Sequence, residues 1–208
     1  MKLRKLEIST FKNLRNFSID FSQKLTTVLL GQNGTGKSNL LEALILIFRD
    51  LDLGETPAFQ YKLDYECRGN EIHIDANPTR GASKREQVQI IVRRGDEMPR
   101  AIPYNKQFYE DSERTYLPSY VFGYYSGPSN RMEKHFEKHQ DRFYRALLRG
   151  EKNPLRPLLY ARPVHSQFAL LSFFTEEESE LAEGEMSVRE FLANLLGIQE
   201  LESVLFVM

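Results

Sequence analysis

Over the first thirty residues the apolar positions fall at every second place. Leu6 and Ile8 alternate with Lys5 and Glu7, and Phe17, Ile19 and Phe21 alternate with Ser18 and Asp20. This is the period of half-buried strands. Residues 24–30 (KLTTVLL) carry β-branched side chains at 26–28 and end fully apolar, the pattern of a central strand covered on both faces. After Gly36 the period changes. Residues 37–50 (KSNLLEALILIFRD) are good helix formers, with Leu40, Leu44, Ile47 and Leu51 on one face and Leu41, Ile45 and Phe48 widening it. A helix with so little polar surface is expected to lie buried against a sheet. Alternation returns over 60–92, where Tyr61, Leu63, Tyr65 and Cys67, then Ile72, Ile74 and Ala76, then Val88, Ile90 and Val92 share one face. With a turn at Arg68-Gly69-Asn70 and a loop over 77–84, that predicts an antiparallel meander with one solvated face.

Further along the pattern weakens. Residues 99–119 are rich in Pro, Asn, Asp, Ser and Tyr and read as a long loop. Residues 120–125 (YVFGYY) are strand-like and lead into a turn at 126–129. A helix is predicted over 130–149, with Met132, Phe136, Phe143 and Leu147 on one face and Gly150 as its C-cap. Ser187 and Glu190 have the spacing of a capping box and open a short helix, 188–196, that stops at Gly197. The acidic run between them, from Thr175 to Glu185, reads as solvated.

Composition narrows the class. The chain has 208 residues, 41% hydrophobic and 27% charged, which is globular rather than disordered or collagen-like. Its one cysteine, Cys67, cannot build a disulfide framework and falls on the apolar side of its strand. There is no secretory h-region at the start and no run long enough to span a membrane, so a soluble, cytoplasmic protein is expected. Net charge is −1, but the first 50 residues carry 8 basic against 4 acidic side chains, and residues 150–208 carry 4 against 10. That asymmetry points to an anion-facing side without a polybasic tail.

One motif carries chemistry. Gly31-Gln32-Asn33-Gly34-Thr35-Gly36-Lys37-Ser38 has the spacing G-x-x-x-x-G-K-[ST] of the phosphate-binding P-loop, between an apolar strand pattern and an apolar helix pattern. Glycines let the loop turn its N–H groups inward onto an anion. The helix beginning near Lys37 aims its positive end at the same place. Lys37 adds a full charge between β- and γ-phosphates, and the Ser38 hydroxyl is placed to hold Mg²⁺. A nucleoside triphosphate is the expected ligand; with no N-K-x-D segment for guanine, ATP is favoured.

The flanking residues narrow the family. Ile8-Ser9-Thr10-Phe11-Lys12-Asn13-Leu14, followed by an aromatic strand and then Gly31 to Asn39, resembles the opening of ABC-type ATPases of the SMC/RecF class, I-x-N-F-[RK]-N-[FL] … G-x-N-G-[AST]-G-K-S-[NT]. Thr10 departs from the first Asn. The run 29–53 looks most like bacterial restriction-system-associated AAA-family ATPases. The resemblance implies an α/β fold, the amino-terminal lobe of an ABC-type head over residues 1–125 with its β meander at 60–93. Residues 126–208 would be a helical and mixed part of the same incomplete head. It implies ATP and Mg²⁺ as cofactors, nucleotide contacts from Gln32, Asn33, Gly34, Thr35, Gly36, Lys37, Ser38 and Asn39, and Ser38 on the metal. Lys12 stands where that class places a basic residue that reaches the phosphates. It also implies a head-to-head homodimer or a complex with other defence-system subunits, with DNA as a partner, in restriction or repair.

Several expectations concern what is missing or bland. The class needs an apolar strand ending in Asp-Glu, to hold Mg²⁺ and activate water, and an LSGG-like signature. Neither occurs in these residues, so no catalytic residue is assigned. The nearest imitation of the first, residues 170–177 (LLSFFTEE), has Thr where Asp should stand and reads as a buried strand before an exposed acidic loop. The closing apolar run 204–208 would want a sheet neighbour, as in an amino-terminal fragment of a longer ATPase or a degenerate product of one. A small P-loop kinase and a non-catalytic nucleotide-binding module are the competing readings. His135 and His139, at i and i+4, are read as a solvated helix face rather than a metal pair, and Arg131 as helix surface. Lys84, Arg85, Arg93, Arg94 and Arg100, with Tyr104, Phe108 and Tyr109, would make an aromatic-basic surface for DNA.

Overall fold

A computed structural model describes residues 1–21, 26–126, 130–152, 154–175, 186–200 and 202–203. It divides into two units, 1–160 and 161–208. The first is built on a six-stranded antiparallel sheet in the order β2-β1-β3-β4-β5-β6. β1 (Lys2–Phe11) and β2 (Leu14–Asp20) form a hairpin, and β1 also pairs with β3 (Tyr61–Cys67). β4 (Asn70–Ala76), β5 (Val88–Arg94) and the short β6 (Arg100–Ile102) continue the meander. Register follows the alternation: Leu6 faces Leu63, Leu63 faces Ile74 and Ile74 faces Ile90, all buried on one side. The other side is a charge ladder, with Arg4 on Glu66 and Arg93 on Glu71.

Helix α1 (Lys37–Leu53) lies on the buried face of this sheet. Its inner side is Leu40, Ala43, Leu46, Ile47, Phe48 and Leu51, while Leu41 is exposed. Three carboxylates, Glu42, Asp50 and Asp52, are buried on it as well, where the sequence pattern showed only apolar width. Tyr104 donates to the carbonyls of Asp50 and Glu55, each at 2.9 Å, and closes the last turn of the helix.

Tyr104 belongs to the stretch expected to be a long loop. Instead it holds β6 and a helical turn, α3 (Lys106–Tyr109), after another turn of helix, α2 (Lys84–Gln87), upstream of β5. Asn105 accepts from the amide of Gln107 at 3.0 Å and caps α3, and Tyr104, Phe108 and Leu117 join the core. Scattered apolar residues without a period bury well once capped turns space them, and single-residue patterning does not show that.

β7 (Val121–Gly123) pairs in parallel with β8 (Leu158–Tyr160) as a separate two-stranded sheet. Between them in sequence lie a 3₁₀ turn at Glu133–His135 and helix α4 (Glu137–Leu148). Met132, Phe136, Leu158 and Tyr160 form a second small core. Leu147, predicted on the apolar face of this helix, is exposed. The second unit holds α5 (Pro163–Thr175) and α6 (Val188–Leu196). The capping box opening α6 is present, Ser187 Oγ accepting from Glu190 N at 3.0 Å, and Gly197 ends the helix left-handed.

Two strand expectations are corrected. Residues 26–30 form no strand, and Val28 and Leu30 are 71% and 90% exposed; residues 22–25 lie outside the described residues. A central strand exists only with ladder partners, and the described residues supply none. Residues 170–175 lie within α5, not in a strand. Pro163 at the first helical position and a thirteen-residue run outweigh the β-like Phe pair. The acidic run beyond 175 and the apolar run 204–208 lie outside the described residues.

Candidate nucleotide-binding site

The loop between residue 30 and α1 is shaped by two left-handed glycines, Gly34 at φ 86° and Gly36 at φ 102°. A side chain at Gly36 would be strained by that backbone, and its Cβ would also sit 2.8 Å from Leu14 Cδ2 and 3.0 Å from Asn13 Oδ1. Gly36 is also the N-cap of α1, and no side chain caps the helix or places an acid in its first turn. The first-turn amides of a seventeen-residue helix are therefore left for an outside acceptor, at the positive end of its dipole. Lys37 turns back over the loop, donating from Nζ to the carbonyls of Gly31 at 2.5 Å and Gln32 at 2.8 Å. Thr35 Oγ1 donates to Gln32 O at 2.9 Å. The helix start and the ammonium group thus lie on one short loop, and these are the kinds of donor that a polyphosphate would need.

The hairpin buttresses the loop. Asn13, at the tip between β1 and β2, donates to Gly34 O at 2.9 Å and accepts from Asn39 Nδ2 at 2.6 Å. Neighbouring Lys12, expected on the phosphates, pairs with Glu42 at 2.5 Å. Ser38 is half-buried in the first turn, and its hydroxyl oxygen is of the kind that Mg²⁺ accepts. Among the described residues no group of three or more His, Cys, Asp or Glu side chains is arranged to hold a metal. A magnesium ion here would take its other ligands from phosphate and water, which is its habit.

Two buried carboxylates on α1 tie in the following segment, and sequence reasoning missed both. Glu42 accepts from Lys12, from Arg131 Nη2 at 2.6 Å and from His135 Nε2 at 3.0 Å. Asp52 accepts from Arg114, from His139 Nε2 at 2.8 Å and from Arg142 Nη2 at 2.6 Å. The histidine pair is thus neither a metal site nor a solvated face: both rings are buried, and each reaches a different acid. Arg131 also donates to Asn39 Oδ1 and so is not plain helix surface. The signal was present in the sequence, since acids on a helix that must be buried require partners.

Burial works against both carboxylates, yet their donors outweigh it. Hydrogen bonds from Lys12, Arg131 and His135 bring Glu42 down to about 2, and those from His139 with the charges of Arg114 and Arg142 bring Asp52 to about 2. Burial lowers His135 and His139 below the ordinary histidine value despite these acids, so both rings are neutral at pH 7. Arg49 Nη1 on His135 Nδ1 at 3.4 Å fits the Nε2–H tautomer.

A group whose folded pKa is depressed contributes fully above its unfolded pKa and loses that contribution as pH falls. The thermal midpoint is expected to drop as pH falls below about 6.5, where unfolded histidine protonates first. It should drop again from about 4.5 towards 2 as the acids titrate. Asp50, raised by burial, opposes the second fall in part. Melts followed by circular dichroism in matched ionic strength would show this; a midpoint unchanged between pH 7.5 and 5.5 would contradict it. His135→Gln with His139→Gln should flatten the upper limb.

The proposed DNA surface loses its aromatic half. Tyr104 and Phe108 are in the core, and Tyr109 is packed against it with its ring over Gly54. Lys84 donates to Gly54 O at 2.6 Å, and Arg93 pairs with Glu71.

A glycine-rich loop running into an apolar helix beneath an antiparallel meander defines the amino-terminal lobe of an ABC-type P-loop ATPase. The AAA ATPase domain family model matches residues 1–145, well over half of the chain, and the protein belongs to that family. It is 28% identical over 100 residues to the DNA replication and repair protein RecF of Leptospira biflexa, covering 43% of this chain and 27% of that protein. Identity is 46% over 46 residues to RecF of Lachnoclostridium phytofermentans, covering 22% and 12%. It is 43% over 49 residues to the Septu protein PtuA of Bacillus mycoides, covering 21% and 7%. The matched stretches thus span 27% or less of the length of these relatives. No helix among the described residues is long and apolar enough to cross a membrane.

Proposed function

We propose that the protein binds ATP with Mg²⁺ on the loop 31–38. The single observation that carries this is one short loop that combines two left-handed glycines, the Lys37 ammonium folded back on it and the uncapped start of α1. Amides of residues 32–38 and Lys37 hold the phosphates, Asn39 supports the loop through Asn13, and Ser38 offers its oxygen to the metal. Magnesium, when bound, neutralises phosphate charge; the chain's part is to hold and orient the triphosphate. Lys12 is a further phosphate ligand once its ion pair opens.

The wider reading is an SMC/RecF-like ATPase whose heads close face to face on nucleotide and act on DNA, in repair or in restriction-type defence. Its support is the family membership together with similarity to a protein named for DNA replication and repair. A P-loop kinase fits less well, because a β meander rather than an arginine-rich lid follows α1.

Equilibrium titration tests the reading. The 208-residue chain is expected to bind MgATP saturably and to hydrolyse it slowly or not at all, since its sequence holds no Asp-Glu strand end or signature. Absence of binding at millimolar MgATP, or transfer of phosphate to an acceptor, would contradict it.

A further inference from the structure

Glu42 is the most engaged side chain beside the loop, and phosphate binding as described makes no use of it. Its carboxylate is 3% exposed and meets Lys12 Nζ at 2.5 Å, Arg131 Nη2 at 2.6 Å and His135 Nε2 at 3.0 Å. It stands one helical turn beyond Ser38, so these donors crowd the flank of the first two turns of α1. Lys12 reaches it from the hairpin tip, with a left-handed backbone at φ 54°. The next residue, Asn13, touches the loop itself through Gly34 O. The hairpin tip that buttresses the cradle is therefore the tip whose cation is parked on Glu42.

The pair is unequal. Lys12 is 42% exposed, and an ammonium group on a four-carbon stem swings freely. Glu42 is fixed in a buried helix face and keeps two other donors if Lys12 leaves, so it is not stranded as a bare buried charge. A triphosphate on the loop would bring several negative charges beside the same ammonium, competing with a single carboxylate for it.

Building on the loop as a triphosphate site, we infer that Glu42 is a positioning residue: it holds Lys12 at the flank of α1 and yields it to bound phosphate. Once Lys12 has moved, Glu42 is left to Arg131 and His135, which lead into α4. Arg131 also holds Asn39 Oδ1 in the first turn of α1. Occupancy of the loop is thereby passed to the start of α4 through one carboxylate. A merely structural Glu42 would stabilise the fold without setting how tightly triphosphate binds.

The test compares MgATP and AMP binding by the natural chain, Glu42→Gln, Lys12→Ala and the double variant. Glu42→Gln keeps shape and an acceptor oxygen but removes the charge that retains Lys12. It is expected to bind MgATP about fivefold more tightly, the size of releasing one half-exposed ion pair, with AMP unchanged. Adding Lys12→Ala should erase that gain. Glu42→Gln binding MgATP no tighter, or a gain that survives without Lys12, overturns the inference. If Glu42→Gln fails to fold, ¹⁵N-lysine labelling of the natural chain decides. The Lys12 Nζ resonance must shift on adding MgATP, and one that stays put overturns the inference. A natural chain that binds no nucleotide at all removes the loop reading and this one with it; nucleotide binding with the wrong Glu42 response removes this one alone.

Discussion

Lys37→Ala is expected to weaken MgATP binding about a hundredfold while leaving the fold intact. The lysine contributes a full charge where β- and γ-phosphates would lie. Hydrogen bonds to charged groups are worth about 1.5–3 kcal/mol each, so losing two contacts costs about 3 kcal/mol, or two powers of ten in affinity. The same ammonium bridges Gly31 O and Gln32 O, but both contacts are exposed and water replaces them at little cost. Unfolding free energies of the natural chain and the variant should therefore agree within about 0.5 kcal/mol. AMP, which has no β- or γ-phosphate, should lose little. A variant that binds MgATP as tightly as the natural chain would show that the loop is not the site.

Asp52→Ala should have the largest effect on stability. Asp52 is 1% exposed and is shared by Arg114, His139 and Arg142. Removing the acid leaves the buried Arg114 guanidinium without its counter-charge, and His139, whose Nδ1 has no hydrogen-bond partner among the described residues, loses its remaining bond. Breaking a buried pair by deleting one partner costs about 3–5 kcal/mol, against a total stability of about 5–15 kcal/mol for a typical domain. Urea unfolding is the measurement. Arg142→Ala, which removes a half-exposed partner, should cost about 1 kcal/mol or less. Equal losses for the two variants would mean that Asp52 is not the centre of the cluster.

The contrast between loop and cluster shows what the sequence made legible. The meander could be read residue by residue, because strands with one buried face write their register into a two-residue period: Tyr61, Leu63, Tyr65 and Cys67 all face inward. The backbone of the loop was legible because its left-handed turns favour glycine, and Gly34 and Gly36 stand at them. The capping box at Ser187 was legible for the same local reason.

What stayed hidden depends on contacts between distant segments. Glu42 with His135 and Asp52 with His139 join positions 93 and 87 residues apart, and periodicity carries no information about such pairs. Tyr104 and Phe108 looked like surface aromatics until two short capped turns folded them inward. The segment 26–30 errs in the opposite direction. Its residues have strand propensity, but a strand is a property of a ladder, and propensity alone does not supply neighbours.

Amide mapping by ¹H–¹⁵N spectra during a MgATP titration tests the central claim most directly. Saturable shifts are expected on residues 32–39 and the hairpin tip at Lys12 and Asn13, with the solvent face of the sheet unchanged. Shifts that avoid the loop, or none at saturating nucleotide, would contradict it.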